Sequence, residues 1–169
     1  MHKESSNKRT RDKHSHFLFV DNPSISKKKC SRLSANANKY LGIDIGNILT
    51  GQIFEVCTAL SQKEQKLFVS AISNPLCSQE VHEESEQFKN YSSRIVVSKF
   101  PGVTDDEGLC AQRAVENVLQ RTISPYQKVF VHQLYWFTIK LEQKDLAALA
   151  NRMLGNPLIH RFEFSPPYA

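Results

Sequence analysis

Glycine is scarce in this chain: six residues among 169, no two of them adjacent. That excludes a Gly-rich backbone cradle for a triphosphate. A Gly-x-Ser-x-Gly elbow and a His-Glu-x-x-His helix are also missing. The four cysteines, Cys30, Cys57, Cys77 and Cys110, form no Cys-x-x-Cys pair, and no two histidines stand beside them at metal-ligand spacing. The expectation is therefore no metal, no cofactor and no catalytic residue. Uninterrupted apolar runs are only a few residues long, too short to span a bilayer. No apolar stretch follows the charged N-terminus, so no secretory signal is expected. A cytoplasmic protein follows, with reduced thiols packed as small hydrophobes.

What the chain does have is length enough for a sizeable core, with 40% hydrophobic residues, and a net charge of +5. A basic balance invites a nucleic-acid partner, but the charge is unevenly placed. Residues 1–15 carry Lys3, Lys8, Arg9, Arg11 and Lys13 against Glu4 and Asp12, with no apolar residue after Met1. Such a segment reads as a flexible tail. Without it the body is nearly balanced, and a nucleic-acid role ranks low. Tyr135-Trp136-Phe137 could offer a stacking strand, yet alternation sends Trp136 to one face and its two neighbours to the other.

Two blocks repeat. Gln52, Leu60, Gln62 and Lys63 recur 81 residues later as Gln133, Leu141, Gln143 and Lys144, and Asn74-Pro75-Leu76 recurs as Asn156-Pro157-Leu158 after a one-residue slip. This reads as an internal duplication. In the second block Arg94 to Lys99 alternates as a strand, and Thr104-Asp105-Asp106-Glu107 reads as a capping box. It opens a helix to about Arg121 that buries Ala111, Ala114, Val115, Val118 and Leu119. Lys128 to Leu141 makes one long strand, or two joined near Gln133. A helix with Leu146, Leu149, Ala150 and Met153 on one face stops at Gly155, and Ile159 to Phe164 is the last strand.

The first block repeats the order. His16 to Val20 reads as a strand, and Lys27 to Leu41 as a helix with Cys30, Leu33, Ala37 and Tyr40 inward. Ile45 to Ala59 reads as the long strand, and Ser61-Gln62-Lys63-Glu64 as a helix cap. The fold class is α+β: two β-α-β-α-β, ferredoxin-like units forming a pseudo-dimer with antiparallel sheets. The expected organisation is a basic tail (1–15), a first repeat (16–77), an acidic linker (78–92), a second repeat (93–165) and a short C-terminal tail (166–169). His132 and His160 fall on or beside strands and read as partly buried or sheet-edge histidines rather than general bases. Asp105, Asp106 and Glu107 could form a carboxylate cluster for a metal, but a helix's first turn explains them without one.

Lys99-Phe100-Pro101-Gly102-Val103-Thr104-Asp105-Asp106-Glu107-Gly108, followed by a helix, a long strand, a helix and Asn156-Pro157-Leu158-Ile159, resembles PurS, the small subunit of phosphoribosylformylglycinamidine synthase in purine biosynthesis. Two such blocks in tandem are similar to the N-terminal region of the long, single-chain form of that enzyme. The resemblance is strongest over 94–164 and weaker over 16–82, where Asn22-Pro23-Ser24 stands in place of the Pro-Gly-Val element.

The resemblance implies a non-catalytic accessory domain of an ATP- and glutamine-dependent ligase that forms an amidine. Its partners would be the synthetase and glutaminase parts, which it holds together. It implies either a stand-alone subunit or a detached piece of a larger synthase, monomeric by preference or else a homodimer. The expected partner-binding surface is the loop carrying Lys99, Phe100, Pro101, Gly102, Val103 and Asp105, since a turn before a helix projects from the sheet. Taken singly, these residues also fit a plain turn and helix cap. The alternatives are a small-molecule regulatory module of the ACT type, for which only Pro101-Gly102 offers a suitable turn, and an RNA-binding ferredoxin-like module.

Overall fold

A computed structural model describes residues 14–74, 76–81 and 88–165. Most of the basic tail, the middle of the acidic stretch and residues 166–169 lie outside the described residues. The elements run β1 (Ser15–Asp21), α1 (Pro23–Asn36), β2 (Ile48–Val56), α2 (Gln62–Ile72), β3 (Ser78–Val81), β4 (Ser93–Lys99), α3 (Asp106–Leu119), β5 (Val129–Phe137), α4 (Gln143–Leu149) and β6 (His160–Ser165). The six strands form one antiparallel sheet in the order β3-β1-β2-β5-β4-β6. This is the expected α+β class. Among the described residues no helix is long and apolar enough to cross a membrane.

Period-2 alternation gives the sheet two different faces. On one face, Phe17, Phe19, Phe54, Val56, Val129 and Val131 pack against Phe68 of α2 and Ala111 and Val115 of α3. Further along the same face, Ile95, Val97 and Phe137 pack against Leu146 and Leu149 of α4 and Ala37 beyond α1. All four helices therefore cover this face. The other face holds Leu18, Val20, Leu49, Val96, Leu134 and Trp136, with Phe88 and Tyr91 laid across them. Trp136 stacks on Phe88 with centroids 4.8 Å apart. Gly51 makes room for it, because a Cβ there would lie 3.0 Å from the indole and 2.5 Å from the Phe19 carbonyl.

Local signals account for most boundaries. Pro23 stands in the first turn of α1, where its missing N–H is no loss. The Ser61–Glu64 capping box is present in both directions: Ser61 Oγ accepts from the Glu64 N–H, and Glu64 accepts from the Ser61 N–H. Helices α1 and α4 each run on into a wide i→i+5 turn, Ala37–Leu41 and Ala150–Leu154, ended by Gly42 and Gly155.

The structure corrects several expectations. Ser78, read as the start of a linker, begins β3, which pairs with β1, and Phe88 in the same acidic stretch is buried. Four glutamates mask what is a third strand and an anchor. The strand through Gln133 is unbroken. Tyr40 is 64% exposed, because the wide turn carries it away from the sheet and under the Lys39 ammonium. Val118 is exposed, and Gln112 takes the inward place expected of an apolar residue. Its carbonyl accepts from the Lys128 N–H at 2.7 Å, and its amide donates to the carbonyls of Ser124 and Tyr126. A satisfied amide can be buried where a bare one cannot.

Candidate functional site: a cleft under the 99–105 loop

The chain leaves β4 at Lys99 and enters α3 at Asp106, and the intervening loop overhangs a cleft of about 160 Å³. Phe100, Pro101, Val103 and Phe130 supply apolar walls, while Glu55, His132 and Arg161 supply polar ones. Phe100 is 40% exposed at the mouth.

Of the six residues expected to bind a partner, Lys99, Phe100, Pro101, Val103 and Asp105 line this cleft. Gly102 does not; it sits at φ +87 with open space where a side chain would be, and makes the turn.

Two of the five hold the loop in shape. Asp105, expected to belong to a capping box, makes no side-chain cap. Its carboxylate points inward, 3% exposed, accepting from the Val131 N–H at 2.7 Å and from the Lys99 ammonium at 3.4 Å. Lys99 also donates to the Thr104 carbonyl at 3.0 Å. The strand N–H of Val131 has no strand partner at that point, and Asp105 answers this need ahead of the helix cap. Gly108 lets α3 come close, since a Cβ there would lie 2.3 Å from the Val129 carbonyl. Asp106 and Glu107 do not converge with Asp105 on any point; Glu107 instead accepts from Gln133 at 2.8 Å and Gln52 at 3.3 Å.

Sequence reasoning missed the floor of the cleft. Glu55 and Cys57 project from one face of the β2 end, and His132 from the same face of β5. His132 Nε2 lies 3.1 Å from Glu55 Oε2, and His14 Nδ1 lies 2.9 Å from Glu55 Oε1. Burial pushes the Glu55 carboxyl up, but its bonds to His14 and His132 outweigh this, and it ends below the usual carboxylate range. The only signal for this group was the i, i+2 spacing of His14 with His16 and of Glu55 with Cys57. His160, read as a sheet-edge histidine, is one: it lies on β6 and its Nδ1 accepts from the Asn156 N–H at 3.0 Å.

The cleft offers an apolar slot with a charged rim, which suits an extended side chain or segment of a partner. Trp136 and Phe137 are buried, so neither ring can stack on a base. In comparison with known proteins, no family model matches the chain and no curated protein is recognisably similar to it.

Proposed function

We propose that the chain is a non-catalytic scaffold domain: a tandem, PurS-like pair of ferredoxin-like repeats that holds the synthetase and glutaminase parts of a phosphoribosylformylglycinamidine synthase together. The observation that carries this reading is the register of the sheet centre. Gln52 pairs directly with Gln133, and these are equivalent positions of the two blocks. An internal two-fold axis through an antiparallel pair sets equivalent residues opposite each other in this way.

Smaller features support the same reading. The Cys57 N–H donates to the Lys128 carbonyl and the Thr138 N–H to the Asn47 carbonyl, one bond mirrored across the centre. Asn74 and Asn156 each accept from the second N–H downstream through their side chains, and from the third and fourth through their carbonyls. Asn22 N–H to Cys77 carbonyl is matched by Phe100 N–H to Ile159 carbonyl, which sets Pro23 and Pro101 in equivalent places.

Co-purification tests the proposal. The full chain, immobilised in extract of its own cell, should retain a polypeptide that mass spectrometry identifies as a synthetase or glutaminase of the amidine-forming type. Retention of neither, under conditions where the chain is folded and monomeric, overturns the proposal.

A further inference from the structure

We propose that His14, Glu55 and Cys57 form a binding site for a divalent metal of the zinc class, at the open end of the β1–β2 pair. The cross-strand register assembles it. His16 lies opposite Glu55, which sets His14 opposite Cys57 one pair further out, and all four side chains share the face away from the helices. One nitrogen, one carboxylate oxygen and one sulfur then lie within 4.8 Å of one another.

The donors converge as ligands do, and not as a proton relay does. In a Cys-His-carboxylate triad the two ring nitrogens serve different partners. Here a single nitrogen, His14 Nδ1, faces both Glu55 Oε1 at 2.9 Å and Cys57 Sγ at 3.6 Å. Zinc bonds of about 2.0 Å to nitrogen and about 2.3 Å to sulfur at a tetrahedral angle set those two atoms about 3.5 Å apart. The nitrogen–sulfur gap therefore already fits, and with all three donor atoms within 4.8 Å of one another the carboxylate has to swing toward the sulfur to close the set. A nitrogen, oxygen and thiolate set prefers zinc-like ions over calcium or magnesium.

Two neighbours complete the arrangement. His132 Nε2 sits 3.1 Å from Glu55 Oε2, the oxygen facing away from His14, and so orients the carboxylate from behind. His16 Nε2 lies 3.8 Å from Glu55 Oε1 and can swing in as a fourth ligand. The cleft reaches Glu55, Cys57 and His132, so the ion is accessible from the partner-binding side.

Cobalt(II) and zinc(II) titrations of the full chain test this. One equivalent of cobalt should produce a thiolate-to-cobalt charge-transfer band, which zinc then displaces. Cys57→Ser should abolish the band, and His14→Ala should weaken it severely. Cys110→Ser, a change at an exposed site elsewhere, should leave it intact. His132→Phe should keep the band and lower zinc affinity about tenfold. Far-ultraviolet circular dichroism confirms that each variant is folded. Absence of stoichiometric binding to the wild type, or a band that survives Cys57→Ser, overturns the proposal.

Discussion

The two strand-to-helix connections solve one problem in two ways. In the first half, α1 starts at Pro23, two residues after β1 ends; in the second, α3 starts at Asp106, seven residues after β4 ends. In both places the departing chain leaves a strand N–H without a ladder partner. The Thr50 N–H finds the Ser26 hydroxyl at 3.0 Å, and the Val131 N–H finds the Asp105 carboxylate at 2.7 Å. The acceptors occupy matching places but come from different residue types. The long connection exposes Phe100 and roofs the cleft. In the proposed reading the frame is common to both halves, and the proposed recognition surface belongs to the second.

The largest effects should come from the shared core. Phe68→Ala and Leu149→Ala each empty a fully buried site in a different cluster of the helix-covered face, and each should cost about 3–5 kcal/mol in urea denaturation. Because β2 and β5 contribute to both clusters, both variants should shift one common transition. Two separate transitions would mean that the two clusters unfold independently.

Next come the two acceptors. Asp105→Ala strands the Val131 N–H and should cost about 2–3 kcal/mol, since a charged acceptor is lost. Ser26→Ala strands the Thr50 N–H and should cost about 1–2 kcal/mol. Equal losses would break the comparison, because the second connection depends on its acceptor to hold a longer loop. Smaller still, Gly102→Ala meets no steric neighbour and should cost about 1 kcal/mol from its positive φ alone, read as a shifted denaturation midpoint.

A last, pH-dependent difference lies where α2 of the first half meets α3 of the second. The Ser61 N–H, the Arg121 guanidinium at 2.8 Å and the Ser61 hydroxyl hold the Glu64 carboxyl down, to about 2 from an ordinary 4.5. A lowered folded-state value means that this contribution is present above about pH 4.5 and is lost as pH falls toward about 2. Arg121→Ala should flatten part of that acid decline, followed as the denaturation midpoint against pH; an unchanged decline would remove Arg121 from the account.

Much of the frame was legible because its signals are local. The Ser61–Glu64 box, Gly155 at a helix end, and the alternation that separates Trp136 from Tyr135 and Phe137 all act within a few residues. What was hidden depends on partners far away in sequence. Nothing near Ser78 announces a strand, because β3 exists by pairing with β1. Asp105 reads as a cap until β5 brings the Val131 N–H beside it. Gln112 is buried only because a loop twelve or more residues later supplies its partners. The loop from Lys99 to Asp105 was visible by composition, but the Glu55–His132–Cys57 floor beneath it was not, since β2 and β5 have to pair before those side chains become neighbours.

The central claim is that recognition lies in the second connection and not in its counterpart. The most direct measurement is retention of the proposed synthetase or glutaminase partner by the full chain carrying Phe100→Ser, beside the chain carrying Asn22→Ser at the corresponding connection. Loss of an exposed aromatic anchor that a partner would cover should lower affinity about tenfold or more in the Phe100 variant, with the Asn22 variant binding like the wild type. Equal retention by both variants, or loss from the Asn22 variant alone, would contradict the account.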